Sequence, residues 1–111
     1  MKRSYLKRNK FNAKSMVYNG RRYDSKLEAS YAMELDWRKK AGEIIEISPQ
    51  HKISLDINGA HIANYYIDFK IILCDGTEEY HEVKGFETDL WRLKWKLTKA
   101  IYPEYKLVLI K

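Results

Sequence analysis

The chain has 111 residues, 45% of them hydrophobic, which suffices for one compact domain around one core and excludes a two-domain arrangement. A single cysteine, Cys74, excludes an intramolecular disulfide. No charged-then-apolar leader or long uncharged apolar run marks secretion or membrane insertion, so an intracellular protein is expected. The net charge of +6 is unevenly spread: no acidic residue precedes Asp24, so the first 23 residues carry +8 and the remainder −2. A basic arm suits a polyanion partner, because each Lys or Arg that neutralises a phosphate releases counterions; a solvated tail is the plainer reading.

Residues 1–15 are dominated by Lys, Arg, Asn and Ser without apolar periodicity. They read as a largely disordered basic arm ahead of a single domain over residues 16–111. Met16–Tyr18 and Arg21–Tyr23 flank Asn19-Gly20, a pair that accepts the positive φ values of a tight turn, so a short hairpin is expected. Asp24-Ser25 offers N-cap oxygens to a helix from Ser25 to about Ala41, stopped by Gly42. Leu27, Tyr31 and Leu35, with Ala32 and Met33 beside them, form its apolar stripe.

From Gly42 to Val83 the pattern is β. Three strands are expected, Lys52–Ile57, His61–Leu73 and Glu78–Val83, with turns at Asn58-Gly59 and around Asp75-Gly76 and a short fourth piece over Glu43–Ile47. A second helix spans about Thr88 to Ile101, with Leu90, Leu93, Leu97 and Ile101 as its stripe, and Pro103 ends it. Tyr105–Ile110 reads as a buried strand returning to the sheet after a helical crossover. The class is α/β, a small mixed sheet flanked by helices.

Two runs carry the chemistry. Tyr65-Tyr66-Ile67-Asp68-Phe69-Lys70 and Tyr80-His81-Glu82-Val83-Lys84-Gly85 each put a carboxylate inside an otherwise apolar strand. Facing each other on neighbouring strands, Asp68 and Glu82 would repel unless a cation lay between them, and hard oxygen donors of this kind are what Mg²⁺ takes. Residues 82 and 84 point to one face about 6–7 Å apart, so Lys84 can reach whatever the carboxylates hold. In a phosphodiester hydrolase a bound cation acidifies water and an ammonium offsets charge developing on phosphorus.

Register tests this arrangement, because directly opposed residues of an antiparallel pair have numbers that sum to a constant. A two-residue Asp75-Gly76 turn sets the sum at 151 and puts Asp68 and Glu82 on opposite faces. A shared site requires a three-residue loop, either Cys74–Gly76 with Gly76 left-handed or Asp75–Thr77.

Glu28 has two readings. Ser25-Lys26-Leu27-Glu28 is an S-x-x-E capping box, yet Glu28 also begins the row Glu28, Ala32, Leu35, from which a carboxylate could reach the sheet. On the second helix Arg92, Lys96 and Lys99 fall away from the leucine stripe and Lys94 lies near its edge. Arg92, Lys94 and Lys96 are candidates for a nucleic-acid backbone, together with Lys7, Arg8, Lys10, Lys14, Arg21 and Arg22. Trp91 and Trp95 read as packing residues. His51, His61 and His81 receive no catalytic role, and His81 should point away from Glu82.

This order of residues resembles the PD-(D/E)XK nuclease superfamily. More narrowly, Arg22-Tyr23-Asp24-Ser25-Lys26-Leu27-Glu28-Ala29, Tyr66-Ile67-Asp68-Phe69 and Glu82-Val83-Lys84-Gly85-Phe86-Glu87-Thr88 look like a family of short phage-borne proteins placed there, over roughly residues 11–111. The resemblance implies a restriction-endonuclease-like αβββαβ core preceded by the hairpin. It also implies Mg²⁺ or Mn²⁺ held by Asp68, Glu82 and the Val83 carbonyl, with Lys84 as catalytic lysine and Glu28 as a further acidic member. Tyr66-Ile67 stands before Asp68 where the superfamily's named pattern has proline.

The implied activity is a structure-selective or weakly specific DNA endonuclease in phage or prophage recombination and DNA processing. DNA is the expected partner, with no membrane and no small-molecule substrate. A homodimer would let two sites act on two strands, and the sequence leaves that open. The rival reading is a non-catalytic DNA-binding or scaffolding protein that keeps the fold.

Overall fold

A computed structural model of the chain describes residues 16–111; the expected basic arm over residues 1–15 lies outside the described residues. Strands β1 (Met16–Tyr18) and β2 (Arg21–Tyr23) form the expected hairpin. Asn19 and Gly20, at φ 53° and 79°, supply the left-handed pair that matches strand twist. Helix α1 (Lys26–Lys40) follows, with Ser25 as N-cap accepting the Glu28 N–H at 3.1 Å. The hairpin is tied to it by the Tyr18 hydroxyl, which donates to Asp36 Oδ2 at 2.8 Å.

The α1 stripe is centred elsewhere than expected. Ala29, Tyr31, Ala32 and Leu35 are buried with Glu28, whereas Leu27 and Met33 lie at its margins, 38% and 37% exposed. Two alanines let the backbone approach the sheet closely, so the face centred on them packs best.

The main sheet has the order β3 (Ile44–Ile57), β4 (Ala60–Leu73), β5 (Glu78–Val83) and β6 (Leu107–Ile110). The first two pairings are antiparallel. The last is parallel, because helix α2 (Asp89–Ile101) carries the chain over from β5 to β6. This is the small α/β fold with a mixed sheet, two helices and an N-terminal hairpin. The separate pieces expected at Glu43–Ile47 and Lys52–Ile57 are one strand, however. Pro49 does not break it because β3 is the sheet's edge, where a missing N–H costs no ladder bond.

The α2 stripe also needs correction. Leu90 and Leu93 are 62% and 54% exposed, while Trp91 and Thr98 are buried and Trp95, Leu97 and Ile101 partly so. Positions 91, 95 and 98 have helical spacing as good as that of the leucines. The indole rings bury more area, so they decide which face turns inward.

Two core clusters result. Tyr23, Tyr31, Leu35, Phe69, Ile71 and Val83 pack with α1, and Ile53, Leu55, Tyr65, Ile67, Tyr80 and Trp91 pack with α2. Fully buried Leu35, Leu55, Ile67, Phe69 and Ile71 each contribute about 1.5–3 kcal/mol. On β4, odd-numbered Tyr65 and Ile67 belong to the α2 cluster, but odd-numbered Phe69 and Ile71 belong to the α1 cluster. Side-chain alternation therefore breaks at Asp68. The opposed β3 position is Gln50, whose φ of 51° is left-handed inside a strand. Among the described residues no helix is long and apolar enough to cross a membrane.

Candidate active site

The loop between β4 and β5 sets the site's register. Leu73 N–H donates to Thr77 O at 2.8 Å and Gly76 N–H to Leu73 O at 2.9 Å, leaving Cys74, Asp75 and Gly76 as a three-residue loop. Gly76, at φ 89°, takes the left-handed position where a side chain would be strained, and Asp75 Oδ1 accepts the Thr77 N–H at 2.9 Å. Of the two expected loops, Cys74–Gly76 is the one formed. Paired residues from Ile72↔Glu78 to Phe69↔His81 sum to 150, the value that brings Asp68 opposite Glu82.

Backbone pairing ends at Phe69↔His81, and the next inward amide, that of Val83, donates to Asp68 Oδ2 at 2.8 Å. In a strand the N–H and C=O of one residue leave from the same edge, so the Val83 carbonyl also leaves on the Asp68 side. Lys84 N–H turns to the other edge and donates to Ile110 O at 2.9 Å.

Glu82 is held at both oxygens. Oε1 accepts the Tyr65 hydroxyl at 2.8 Å, and Oε2 lies 3.3 Å from Lys84 Nζ. Trp91 Nε1 donates to the Tyr65 hydroxyl oxygen at 3.1 Å, and Lys84 Nζ sits 5.3 Å from the centre of a Trp91 ring. Glu28 comes in from α1. Its Oε2 accepts from Gln50 Nε2 at 3.3 Å, and the same nitrogen donates to Asp68 Oδ1 at 3.2 Å. Glu28 thus gives its amide to the Ser25 cap, while the Oε2 of its carboxylate turns to Gln50 and the sheet, the second of its two readings.

All three carboxylates are buried, with 3–8% of their surface exposed. Burial first, then the Asp68 charge, pushes Glu28 up to about 8. The same two causes raise Glu82 to about 7, against the opposing pull of Tyr65 and Lys84. Burial also raises Asp68, while the Val83 amide, Lys84 and Gln50 act the other way. Like charges crowded out of water hold protons unless a cation replaces them. The oxygen donors that could hold a hard divalent cation here are Asp68 and Glu82, with the Val83 carbonyl leaving on the same side and Glu28 adjacent. Among the described residues no three His, Cys, Asp or Glu side chains are drawn up as a ready ligand cluster. The fit therefore rests on two side chains and a backbone oxygen.

A family model described as "Protein of unknown function (DUF1064)" matches residues 8–111. The chain belongs to this family. The DUF1064 match takes in both helices, the whole sheet and every site residue named above. No curated protein matches the chain.

The remaining candidates of this DUF1064 chain divide by position. Lys7, Arg8, Lys10 and Lys14 lie outside the described residues. Arg21 and Arg22 are exposed on β2. Arg92 pairs with Glu87 at 3.3 Å and with Asp89 at 3.0 Å, on the wall of a cleft of about 850 Å³ that opens beside Lys84 and includes Phe86, Thr88 and Lys111. Lys94 is half-buried, its ammonium donating to Asn64 O at 3.0 Å, and Lys96 is exposed.

His81 does face away from Glu82, and its ring is bonded at both nitrogens: Nδ1 meets the Tyr31 hydroxyl at 2.5 Å and Nε2 meets Glu79 Oε1 at 2.9 Å. Lys106 closes this chain on Glu79 at 2.8 Å. Sequence reasoning missed Gln50 and Tyr65 as site residues. For Gln50 a signal existed, since Ser48-Pro49-Gln50 interrupts the apolar pattern; it was indistinguishable from a loop.

Proposed function

We propose that this protein is a divalent-cation-dependent nuclease that hydrolyses phosphodiester bonds of DNA inside the cell. The observation that carries the reading is the placing of two buried carboxylates, Asp68 of β4 and Glu82 of β5, on one face with the ammonium of Lys84 on Glu82 and a third buried acid, Glu28 of α1, linked to Asp68 through Gln50. Burying several like charges is costly, and a fold retains such a group where a cation and a phosphate are to be bound. Resemblance of the Asp68 and Glu82-Val83-Lys84 phrases to PD-(D/E)XK nucleases, narrowed to short phage-borne relatives, supports DNA processing or recombination as the setting.

Asp68 and Glu82 would hold Mg²⁺ or Mn²⁺ together with the Val83 carbonyl, and Glu28 would add negative charge at the same place. When bound, such a cation acidifies water and polarises the phosphoryl oxygen. Lys84, kept beside Glu82 and the Trp91 ring, offsets charge developing on the phosphate. The open cleft next to Lys84 leaves room for the polynucleotide backbone. Without a base-reading motif, affinity should be driven by backbone contacts and fall steeply with salt.

The test is Mg²⁺-dependent cleavage of branched, single-stranded and duplex DNA by wild type, Asp68→Asn, Glu82→Gln and Lys84→Ala. Cleavage by wild type alone is expected. Equal cleavage by the variants would show that the site is wrongly assigned. Salt-sensitive DNA binding with no cleavage by any form would favour the non-catalytic scaffold.

A further inference from the structure

Within β3, Gln50 alone has a left-handed backbone, at φ 51°. Asn19 and Asn58, the other non-glycine residues with positive φ among those described, sit in hairpin turns, where asparagine adopts that conformation readily. Gln50 has neither a turn nor a favourable side chain to explain it. Strained backbone inside a regular element persists where the surroundings impose it and is concentrated at functional sites.

The strain has two visible consequences. First, β3 changes faces there: Ile47 packs with the α1 cluster and Ile53 with the α2 cluster although both numbers are odd, and β4 changes faces at the opposed Asp68. At this crossing Glu28, carried by α1, reaches Gln50, which also holds Asp68, while Glu82, opposite Asp68, contacts Tyr65 of the α2 cluster. Second, the Gln50 amide is aimed between two acids. A carboxamide nitrogen carries two hydrogens, and Nε2 has two acceptors, Glu28 Oε2 and Asp68 Oδ1, both within 3.3 Å. Gln50 is itself exposed, so water could satisfy its amide; the hydrogen bonds serve the carboxylates rather than the glutamine.

We propose that Gln50 is a positioning residue that couples Glu28 to Asp68, so that the helix acid takes part in cation binding only through this amide. The inference rests on the cation-binding reading of the site. Groups that orient ligands without touching the metal are worth about 10–100-fold in affinity.

Gln50→Gly relieves the backbone and removes the amide. Gln50→Asn tolerates the same φ with a side chain too short to span both acids. Calorimetric Mn²⁺ titrations of wild type, Asp68→Asn, Gln50→Gly, Gln50→Asn, Glu28→Gln and the Gln50→Gly/Glu28→Gln double variant separate the outcomes. Both Gln50 variants should bind Mn²⁺ about 10-fold more weakly or worse, with unfolding temperatures in chelator equal to or above wild type. Glu28→Gln should weaken binding in the wild-type background and change it less than about twofold in the Gln50→Gly background, since coupled sites are not additive. Wild-type affinity in Gln50→Gly, or losses that simply multiply in the double variant, would overturn the coupling while leaving the centre intact if Asp68→Asn still abolishes binding. No Mn²⁺ binding by wild type would remove the centre and the coupling together.

Discussion

Asp68 accepts the Val83 amide on one carboxylate oxygen, at 2.8 Å, just where β4 and β5 stop exchanging backbone hydrogen bonds. A side chain has taken the place of a ladder carbonyl. The carboxylate is thereby held at the mouth of a fork between two strands, with Gln50 on its other oxygen, and both neighbouring acids lie close enough to feel its charge.

Asp68→Asn keeps an oxygen for the Val83 amide, removes the charge and turns an NH2 toward Gln50, whose exposed amide can turn its own oxygen to meet it. In chelator at pH 8 the variant should unfold at a higher temperature than wild type, because one of three buried like charges is gone. On the proposed nuclease reading, DNA cleavage should drop by about 100-fold or more, as for removal of a principal transition-state or metal contact. A lower unfolding temperature under those conditions would mean that Asp68 is held as a favourable charge rather than a repelled one.

Stability should depend on pH in a direction unusual for carboxylates. Glu28 and Glu82 are raised from 4.5 to about 8 and about 7, so the folded state holds protons that the unfolded chain releases. Their contribution is fully present below the unfolded value and is lost as pH rises through the folded values. In chelator the unfolding temperature should therefore fall from about pH 5 to pH 8. Added Mn²⁺ should raise it more at pH 8 than at pH 5.5, since cation binding displaces the protons. An equal Mn²⁺ effect at both pH values would contradict proton–cation exchange at these acids.

Tyr65→Phe removes the donor to Glu82 Oε1 and leaves the Trp91 Nε1–H without its acceptor. Leaving a buried donor unsatisfied costs about 1–3 kcal/mol, which urea denaturation would read directly. On the proposed reading cleavage should fall as well, because Glu82 loses one of the two side chains that hold it and keeps Lys84. A variant as stable as wild type would show that Trp91 finds another partner.

The inward face of α2 can be tested by a contrast of substitutions. Leu93→Gln, at a residue 54% exposed, should change stability by no more than about 0.5 kcal/mol. Trp91→Ala should cost about 3–5 kcal/mol. Comparable losses from the two would mean that Leu93 is covered in solution, by a second copy or another partner.

Much of the architecture was legible because it is encoded locally. Asn19-Gly20 and Asn58-Gly59 impose positive φ, Ser25 caps the first helix, and a parallel β6 follows from the crossover through α2. The loop before β5 is encoded as locally: a shared face for Asp68 and Glu82 requires a three-residue connection, and Gly76 supplies the left-handed residue that such a loop needs. Helix faces were less legible. Leucine and tryptophan stripes on α2 have equivalent spacing, and the choice between them depends on what each meets across the interface.

By itself, then, the sequence determined which residue types stand within reach of one another along each element: the acid in β4, the Glu-x-Lys of β5, the glutamate after the N-cap. Tertiary structure alone decided that β3 and β4 exchange faces at Gln50 and Asp68, that an exposed glutamine bridges two acids from different elements, and that Tyr65, itself held by Trp91, holds Glu82. The physical reason is that pattern and propensity describe a residue's own strand or helix, whereas burial, repulsion between carboxylates and shared hydrogen bonds arise only when several elements are packed together.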